Sequence, residues 1–583
     1  MFWQLKESAP QKFIEDFPEY NPVVLQLLYH RGLKTQQQID EFFNPDYEGD
    51  LHDPFLMLGV AEAVKRLEQA IKQEEKIAIF GDYDADGVCG SVILKTVLEE
   101  LGADLSGGIF IPNRLKEGYG LNEEAIKKMA KKNVKLLITV DCGISDLADI
   151  ELANSLGLEV IITDHHQPGH KLPRAKVIIN PWQSKDKYPF KELSGTGVAF
   201  KLAQALIKNN DKIKPGWEKW LLDLVALATV ADCVPLLGEN RTLVRYGLLV
   251  LAQTQRLGLQ ELMKIARLKP AYEAETLWTN LDTYSIGFVL APRLNAAGRI
   301  EHADLALDLL VTRDLANARA MAQQIDDYNR QRQKITDGIV AEIEKRLKEK
   351  APDKEYPVII ECDKDWSPGV IGLVAGKISD RYHRPSIIFS SVNGGESGCV
   401  RGSARSIPNF NIVAAIEECS DLLVEFGGHK GAAGLELKEE NLEAFKEKFN
   451  KITRQTLREK DLTPVLEVDL EVQPSDLGWE LFDNLERLEP FGQGNERPAW
   501  LLKAMEITSL RVVGNGSKHL KLELKNESLP NKTFRAIGFG LANKNGGGEL
   551  KIGDKMDIVF ELIADEWNGT RNLQLKIIDF KKL

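Results

Sequence analysis

The first half of the 583-residue sequence repeatedly places acidic or imidazole side chains directly after short apolar runs. Three of these runs, KIAIF, LLITV and VIIT, have the length and composition of buried strands. A further acidic position lies inside the apolar stretch ALATVADCVPL. In chain order, the residues are Asp82, Asp84, Asp86, Asp141, Asp164, His165, His166 and Asp232.

Together these side chains have the chemistry of a site for divalent cations. Loops at the carboxyl ends of parallel strands open into one crevice, so side chains from the three strand ends are expected to meet. Because neighbouring carboxylates resist simultaneous ionisation, such a cluster needs cations to be stable. Carboxylate and imidazole ligands without thiolate favour Mn²⁺ or Mg²⁺ over zinc, and this many ligands suit two ions.

Each residue also has a structural explanation when it is taken alone. Asp141 or Asp164 after a strand is often only a helix N-cap, and Asp232 or His165 alone is typical of a core residue with a structural role. The GDYDADG loop is similar to the start of a calcium loop, but Val88 to Thr96 contains no acid that would complete one. The combination of all these positions at consecutive strand ends favours metal binding.

The elements that must position these side chains form a multidomain α/β protein. Five apolar runs between Lys76 and Asn180, most of them separated by amphipathic helical patterns, predict a parallel sheet covered by helices on both faces. A long charged segment after Leu310 predicts a solvated helix between domains. The alternating strands near the C-terminus are typical of a small β-barrel. The predicted domains are 1–50, an N-terminal extension; 51–315, a parallel-sheet domain; 316–350, a connector helix; 351–457, a smaller α/β domain; and 458–583, the β-barrel.

Composition restricts the class of protein without identifying a function. A formal net charge of -12 excludes a chain that is basic throughout, but it allows a basic groove on an acidic body. The six cysteines show no CxxC pair, which predicts free thiols in a reducing cytoplasm rather than disulfides or a zinc site. The N-terminus lacks a signal-peptide pattern. The apolar stretch from Leu221 to Leu237 contains two aspartates, so we expect a buried helix and no membrane span.

The motifs GDYDADG, VDCG, DHH and VADCVPL resemble the four motifs of the DHH phosphoesterase superfamily. Within that superfamily, the similarity to the RecJ exonucleases is close and covers nearly the whole chain. The resemblance implies a DHH domain with a parallel sheet, a long connector helix, a smaller DHHA1 domain and a C-terminal OB-fold. One departure is Phe80, where relatives often have a histidine.

The resemblance also implies roles for the acidic and imidazole side chains. One metal ion is implied at Asp84 and Asp141 with Asp82 nearby, and Asp82 is the expected substitute for the histidine that Phe80 replaces. The second ion is implied at Asp86, Asp141, His165 and Asp232, so that Asp141 bridges the pair. His166 is implied to face the phosphate or to support a ligand. The implied catalytic set is Asp84, Asp86, Asp141, His165, His166 and Asp232.

Segments outside these motifs resemble substrate-binding segments of the same family. Arginine forks and backbone N–H groups near glycine suit phosphate oxygens. The resemblance implies DNA-facing side chains in IFIPNRLKEGYG and APRLNAAGR, a terminal 5′-phosphate site in RGSAR, and contact with the scissile phosphate from GGHKGAAG. The residues concerned are Arg114, Tyr119, Arg293, Asn295, Arg299, Ser403, Arg405, Gly428 and His429.

The resemblance implies a two-metal phosphodiesterase that degrades single-stranded DNA from its 5′ end, releases 5′-mononucleotides, and serves DNA repair and recombination. Its implied partners are single-stranded DNA, a single-strand-binding protein and a RecQ-type helicase. One alternative is a DHH phosphodiesterase of short oligoribonucleotides or cyclic dinucleotides, although the C-terminal barrel favours a longer polymer. The other is a DNA-binding relative without catalysis, against which the full set of predicted ligands argues.

Overall fold

The structure of the chain is a computed structural model that describes residues 1–114, 116–350, 357–391, 398–514, 516–543, 547–567 and 570–583. These residues form two compact units. The first comprises Met1–Leu51, Pro235–Thr242 and Val465–Leu583, and the second comprises His52–Val234 and Leu243–Pro464. Among the described residues, no helix has both the length and the apolar character needed to cross a membrane.

The N-terminal segment contains one strand and three short helices. Helix α2 begins at Pro22, where the Asn21 side chain accepts a hydrogen bond from the backbone N–H of Val23. Helix α3 begins with a capping box between Thr35 and Gln38, which satisfies free backbone groups at the helix end. The elements are β1 (Phe2–Leu5), α1 (Gln11–Asp16), α2 (Pro22–His30) and α3 (Gln36–Phe43).

A five-stranded, all-parallel sheet forms the centre of the next part of the chain. Its strand order is β3-β2-β4-β5-β6, and the three central strands β2, β4 and β5 are almost fully buried, as expected for a parallel sheet with helices on both faces. The strands are β2 (Lys76–Gly81), β3 (Asp104–Phe110), β4 (Leu136–Val140), β5 (Glu159–Thr163) and β6 (Val177–Ile179). The helices are α4 (Val60–Lys72), α5 (Ala85–Leu101), α6 (Glu123–Lys131), α7 (Leu147–Ser155), α8 (Gly195–Lys208), α9 (Leu222–Ala231) and α10 (Gly238–Ala252).

A helical region follows, interrupted by a small exposed hairpin and a short π-helix. The π-helix, Ser285–Leu290, runs directly into α12. The long charged segment forms a single 36-residue helix, α14, over almost the range that the sequence indicates. The elements are α11 (Leu257–Ile265), β7 (Tyr272–Glu273), β8 (Trp278–Thr279), α12 (Ala291–Ile300), α13 (Asp304–Val311) and α14 (Leu315–Lys350).

The second α/β region has a mixed sheet of order β12-β13-β11-β10-β9, in which β9 and β10 are parallel and the other neighbours are antiparallel. The domain boundary predicted at 351–357 lies, except for Pro357, outside the described residues. The elements are β9 (Ile359–Cys362), α15 (Ile371–Tyr382), β10 (Ser386–Ser391), β11 (Cys399–Arg405), α16 (Ile412–Glu417), β12 (Leu423–His429), β13 (Ala432–Lys438) and α17 (Leu442–Thr456).

The C-terminal strands form a closed five-stranded barrel, which confirms the predicted β-barrel. The barrel closes because β16 pairs with both β17 and β19, giving the circular order β16-β17-β18-β20-β19. Its apolar core also contains side chains of α2 and α3, so the N-terminal helices and the barrel form one compact unit. The elements are β14 (Val465–Val468), β15 (Leu470–Glu471), α18 (Trp479–Glu486), β16 (Trp500–Val513), β17 (His519–Lys525), β18 (Phe534–Gly538), β19 (Lys555–Trp567) and β20 (Thr570–Lys582).

Candidate metal centre

The loop after β2 positions three aspartates around the start of α5. Asp84 caps this helix by accepting hydrogen bonds from the backbone N–H groups of Asp86 (2.9 Å) and Gly87 (3.2 Å). Asp82 lies against the first turn, and only glycine fits at position 87, because a Cβ there would lie 2.5 Å from Asp82 N. The tight turn therefore points several carboxylates into the same small space.

Asp86 is fixed by the N-terminus of α8. Its two carboxylate oxygens accept hydrogen bonds from the backbone N–H groups of Gly195 (2.7 Å) and Thr196 (2.8 Å). The Thr196 hydroxyl donates to the Asp86 carbonyl oxygen at 2.6 Å. Free N–H groups at a helix N-terminus suit an anionic side chain, so Asp86 is held in place before any cation binds.

Asp141 directly follows β4 and lies in the left-handed region of backbone conformation, with a φ of 62°. The Tyr119 hydroxyl donates to the Asp141 carbonyl oxygen at 3.0 Å. Gly195 packs directly against the side chain, since a Cβ at that position would lie 2.6 Å from Cβ and Oδ1 of Asp141. These contacts direct the Asp141 carboxylate toward the loop after β2.

His165 lies among three carboxylates contributed by different elements. Its Nε2 is 3.1 Å from Asp141 Oδ1, 3.6 Å from Asp232 Oδ2 and 3.9 Å from Asp86 Oδ2. Asp232 follows the last residue of α9. The structure therefore brings the predicted residues from three strand ends and one helix end into one cluster.

His166 lies beside this cluster, held by a separate set of contacts. Its Nδ1 is 2.8 Å from Asp164 Oδ1 and 3.1 Å from the Tyr119 hydroxyl, and its side chain is 46% exposed. Burial alone would lower the pKa of His166, but the hydrogen bond and charge of Asp164 raise it. Asp164 also accepts from the backbone N–H of Ile144. Asp164 therefore supports the histidine and organises the loop instead of joining the cluster.

Six residues, Asp82, Asp84, Asp86, Asp141, His165 and Asp232, are named here the carboxylate centre. Three groups of potential ligands have atoms within 4.8 Å of one another. The first is Asp82, Asp84 and Asp141, and the second is Asp86, His165 and Asp232. The third joins Asp141 to the two histidines, His165 and His166. Among the described residues, Asp82 Oδ1, Asp141 Oδ1 and His165 Nε2 are buried without a hydrogen-bond partner. Buried polar atoms are normally paired, so these three fit a site that cations complete.

The electrostatics of the carboxylate centre lead to the same conclusion. Burial, followed by the charge of Asp84, raises the pKa of Asp82 well above its usual range, and burial with the charges of Asp86 and Asp84 does the same for Asp141. Burial lowers the pKa of His165, which favours the neutral imidazole that binds metals. Oxygen donors with one neutral imidazole suit Mn²⁺ and Mg²⁺.

Replacing Asp232 by asparagine is expected to stabilise the metal-free protein in mildly alkaline buffer. Burial and the charges of Asp86 and Asp84 raise the pKa of Asp232 from 3.8 to about 9, so the folded protein holds this proton more tightly than the unfolded chain. The free energy of unfolding therefore falls as the pH rises from 3.8, the pKa in the unfolded chain, toward about 9, the pKa in the folded protein. In chelator-treated protein, Asp232→Asn should raise Tm by about 2 °C or more, as measured by calorimetry.

The same variant should lose most of the Tm increase that added Mn²⁺ produces in the wild type, because it lacks one anionic ligand. The difference in Tm between the two metal-free proteins should shrink steadily as the pH falls from about 9 toward 4, and it should vanish only where Asp232 is protonated in both the folded and the unfolded chain. A variant less stable than the wild type at alkaline pH would contradict the proposed repulsion.

Phe80 occupies the position at which relatives often have a histidine. Its side chain is 1% exposed and packs in the apolar core beside Ile126 and Met129, away from the acidic loop. Asp82 instead groups with Asp84 and Asp141. That Asp82 takes the place of the missing imidazole as a ligand stays a prediction.

Four arginines, Arg114, Arg299, Arg332 and Arg405, form an arginine cluster in the same compact unit. The Arg114 guanidinium lies 4.6 Å from the centre of the Tyr83 ring. Burial, followed by the charges of Arg114 and Arg332, lowers the pKa of Arg299 to about 9, and burial with the charge of Arg114 lowers the pKa of Arg405. Mutual repulsion among partly buried guanidinium groups favours a site that an anion completes.

Arg332, on α14, is a member of this cluster that sequence reasoning missed. Its Nη2 donates to Asn329 Oδ1, while its Nε is buried without a hydrogen-bond partner in the described part of the chain. The residue lies in a helix rich in charged side chains, where nothing in the sequence distinguishes it from solvated neighbours. Only the packing of α14 against α12 reveals it.

Ser403 and Arg405 lie two residues apart on β11, so their side chains share one face of the sheet. Arg405 Nη1 lies 3.4 Å from Ser403 Oγ. A Cβ at Gly372 would lie 3.0 Å from Ser403 Oγ and 3.4 Å from Arg405 Nη2, so the start of α15 approaches both closely. The predicted phosphate residues of β11 therefore adjoin a helix N-terminus.

Three of the remaining predicted substrate residues, Asn295, Arg293 and His429, have polar contacts with other groups of the protein. Asn295 Oδ1 accepts from the backbone N–H of Ala85 at 2.7 Å, and so supports the acidic loop. Arg293 pairs with Asp326 of α14 at 2.9 Å. His429 is exposed at the end of β12, and its Nδ1 accepts from Gly431 N; Gly428 has a φ of 146° that disfavours a side chain. Contact of these residues with DNA stays a prediction.

Comparison with known proteins agrees with this geometry. The DHH family N-terminal domain matches residues 76–229, the DHHA1 domain matches 355–455, and the RecJ OB domain matches 468–579. The chain is similar to the single-stranded-DNA-specific exonuclease RecJ of Bacillus subtilis (39% identity; 99% of this chain and 70% of the relative). It is also similar to that of Escherichia coli (33% identity; 97% and 96%).

Solved structures of the same family share the fold of this chain. The crystal structure of RecJ in complex with Mn²⁺ from Thermus thermophilus matches with a TM-score of 0.82 and 29% identity, covering 100% of this chain and 80% of that one. A second crystal structure from the same organism, of RecJ in complex with Mg²⁺, matches with a TM-score of 0.77 and 27% identity, covering 100% and 78%. The chain, with its DHH, DHHA1 and OB domains, belongs to the RecJ exonuclease family.

Proposed function

We propose that this chain is a two-metal phosphodiesterase that degrades single-stranded DNA from the 5′ end and releases 5′-mononucleotides. The observation that carries the proposal is the convergence of the carboxylate centre around buried oxygen and nitrogen atoms that have no protein partner. The names of the relatives support the substrate, and the family resemblance supports the polarity.

Each ion would be held by a distinct part of the centre. Asp82, Asp84 and Asp141 would hold one ion, and Asp86, Asp141, His165 and Asp232 the other. When bound, such a pair supplies Lewis acidity and an activated water for in-line displacement at phosphorus. The relatives crystallised with Mn²⁺ and with Mg²⁺ support these two metals.

Residues around the centre would hold and orient the substrate. His166, kept in place by Asp164 and Tyr119, can offer its cationic form to a phosphate oxygen at the exposed edge of the centre. The arginine cluster would receive the terminal 5′ phosphate, because a dianion relieves the repulsion among its guanidinium groups. An end requirement then follows from binding the terminal phosphate beside the carboxylate centre.

Replacing Arg405 by alanine is expected to raise KM for 5′-phosphorylated strands by about 10- to 100-fold, because one charge-assisted contact is lost. The KM for strands with a 5′ hydroxyl should change little. Steady-state hydrolysis of both substrates measures the difference. Arg401→Ala is a matched control, since this arginine lies on the same strand and pairs with Glu436 instead. Equal losses on both kinds of strand end would refute the assignment.

Incubation with 5′-labelled and 3′-labelled single strands, with a duplex control, tests the function itself in Mg²⁺ and in Mn²⁺. We expect early release of labelled mononucleotide from the 5′ label, progressive shortening of the 3′-labelled strand, and an intact duplex. Preferred cleavage of short oligoribonucleotides or cyclic dinucleotides would favour the alternative substrate class. Binding without hydrolysis in both metals would contradict an enzymatic role.

We further propose that the predicted domains have different roles in degrading the strand. Residues 51–315 would cleave, 351–457 would hold the strand end, and 458–583 would track the strand as OB-folds do. A single-strand-binding protein and a RecQ-type helicase are proposed protein partners in DNA repair. A cytoplasmic location agrees with the six free cysteines.

A further inference from the structure

Two aromatic side chains, Tyr284 and Phe288, form an exposed pair that no part of the proposed mechanism uses. Their rings stack with centroids 5.0 Å apart and an interplanar angle of 20°. Tyr284 is 61% exposed and Phe288 is 71% exposed. Side chains of this size usually bury most of their surface, so a stacked pair left in solvent indicates a surface that a ligand covers.

The pair lies on a segment that packs against α9, the helix that Asp232 of the carboxylate centre directly follows. Phe288 lies in the π-helix, which is anchored by the buried side chains of Ile286 and Leu290. Gly287 packs against α9, since a Cβ there would lie 3.6 Å from Val230 Cγ1, two residues before Asp232. Single-turn π-helices occur frequently at functional sites. The aromatic pair is therefore attached rigidly to the helix that supplies Asp232.

Helix α12 connects this pair to both other parts of the site. The helix continues from the π-helix, carries Asn295 beside the acidic loop, and ends near Arg299 of the arginine cluster. At a rise of about 1.5 Å per residue, Phe288 lies about 10 Å along the axis from Asn295, and Arg299 about 6 Å further on. The carboxylate centre thus lies between a site for an anion and an aromatic surface.

Two arginines lie on the helix that continues from the aromatic pair; Arg293 is paired with Asp326, and Arg299 belongs to the arginine cluster. Arg293 lies one turn further along the helix and donates to the Val289 carbonyl oxygen at 2.7 Å. Arg299 follows on the same helix. Aromatic faces combined with arginines are the usual surface for unpaired bases, because every base can stack and the arginines attract the backbone. A bound protein segment would not require an anion site, metal ligands and stacked rings in this order, whereas a single strand of nucleic acid would contact all three.

We propose that Tyr284 and Phe288, the aromatic platform, stack bases of the single strand on the 3′ side of the scissile phosphate. The inference rests on the proposed function, which places the 5′-terminal phosphate in the arginine cluster at the other end of α12. The strand then passes from the arginine cluster over the carboxylate centre to the aromatic platform. Stacking there holds the next nucleotides in register after each cleavage.

The test compares hydrolysis of 5′-phosphorylated oligothymidylates that carry one abasic residue at successive positions. In the wild type, one or two adjacent positions near the 5′ end should raise KM when abasic, because the platform then lacks a base. Phe288→Ala should raise KM for the intact strand by about 5- to 100-fold with kcat little changed, and should abolish the penalty of the abasic residue. Phe288→Trp should restore both properties, which a purely structural role does not require.

Trp220→Ala is the matched control, because this tryptophan is 44% exposed and lies just before the opposite end of α9 from Asp232. It should leave KM and the position of the abasic penalty unchanged. Wild-type kinetics and an unaltered abasic profile in Phe288→Ala would overturn the platform while leaving the exonuclease function intact, and would point to a protein ligand instead. Absence of hydrolysis by the wild type would count against the proposed function itself.

Discussion

Asp141→Ala is expected to reduce hydrolysis of single-stranded DNA on the order of a thousand-fold or more, because it removes the ligand that we propose both ions share, and several kcal/mol of charge stabilisation with it. Asp141 belongs to two of the three potential ligand groups, and its Oδ1 is 3.1 Å from His165 Nε2. DNA affinity should remain close to that of the wild type, since the arginine cluster is untouched. Single-turnover hydrolysis and fluorescence anisotropy measure the two properties.

Glu151→Ala serves as the control for this variant, because Glu151 is an exposed acid on α7 of the same compact unit. It should retain wild-type hydrolysis. The metal-free Asp141→Ala protein should also unfold at a temperature no lower than that of the wild type, since the buried carboxylate is unfavourable without a cation. Undiminished hydrolysis by purified Asp141→Ala protein would exclude the bridging role.

Gly195→Ala is expected to lower kcat by about 100-fold without changing any side chain that contacts an ion, since a displacement of about 1 Å at a reacting site has that effect. The added Cβ would lie 2.6 Å from Cβ and Oδ1 of Asp141, so either the carboxylate or the start of α8 must move. The same helix end donates the Gly195 N–H to Asp86, and both ligand positions would therefore shift. Kinetics in Mn²⁺ measure the loss.

Gly338→Ala is a suitable control, because this glycine lies in α14 with no atom within 4 Å of an added Cβ. It should retain activity and be slightly more stable than the wild type, as expected when alanine replaces glycine within a helix. The Mn²⁺-induced rise in Tm should be reduced in Gly195→Ala and normal in Gly338→Ala. A fully active Gly195→Ala protein would show that the close approach of α8 to Asp141 does not position the ligand.

The carboxylate centre illustrates how a folded protein can hold an arrangement that is unfavourable by itself. Burial raises the pKa of Asp82, Asp84, Asp141 and Asp232 together, so the metal-free protein disfavours the ionised forms that metal binding requires. The helix ends at α5 and α8 offset part of this cost by supplying N–H donors. The fold therefore pre-positions, at the mouth of the sheet, the side chains that we propose as cation ligands.

The amino-acid sequence by itself determined the type and approximate place of the proposed metal ligands. Alternation of apolar runs with amphipathic patterns specifies a parallel sheet, and in such a sheet the carboxyl ends of the strands lie on one edge. Asp82, Asp141 and Asp164 directly follow three of those strands, and Asp84 and His165 come within the next two residues, so their convergence follows from local pattern and chain direction. The barrel was likewise predictable from period-two alternation.

Only the tertiary structure decided how individual polar side chains are used. Asn295 accepts a hydrogen bond from Ala85 and Arg293 pairs with Asp326, and the sequence indicates neither contact. Arg332 belongs to the arginine cluster although it lies on a helix whose sequence predicts only solvated charge. The exposed stacking of Tyr284 and Phe288 is equally invisible in the sequence, where aromatic residues normally predict core. The physical reason is that helices and strands follow from the pattern of neighbouring residues in the sequence. The partner of a long polar or aromatic side chain depends instead on which distant segments pack against it.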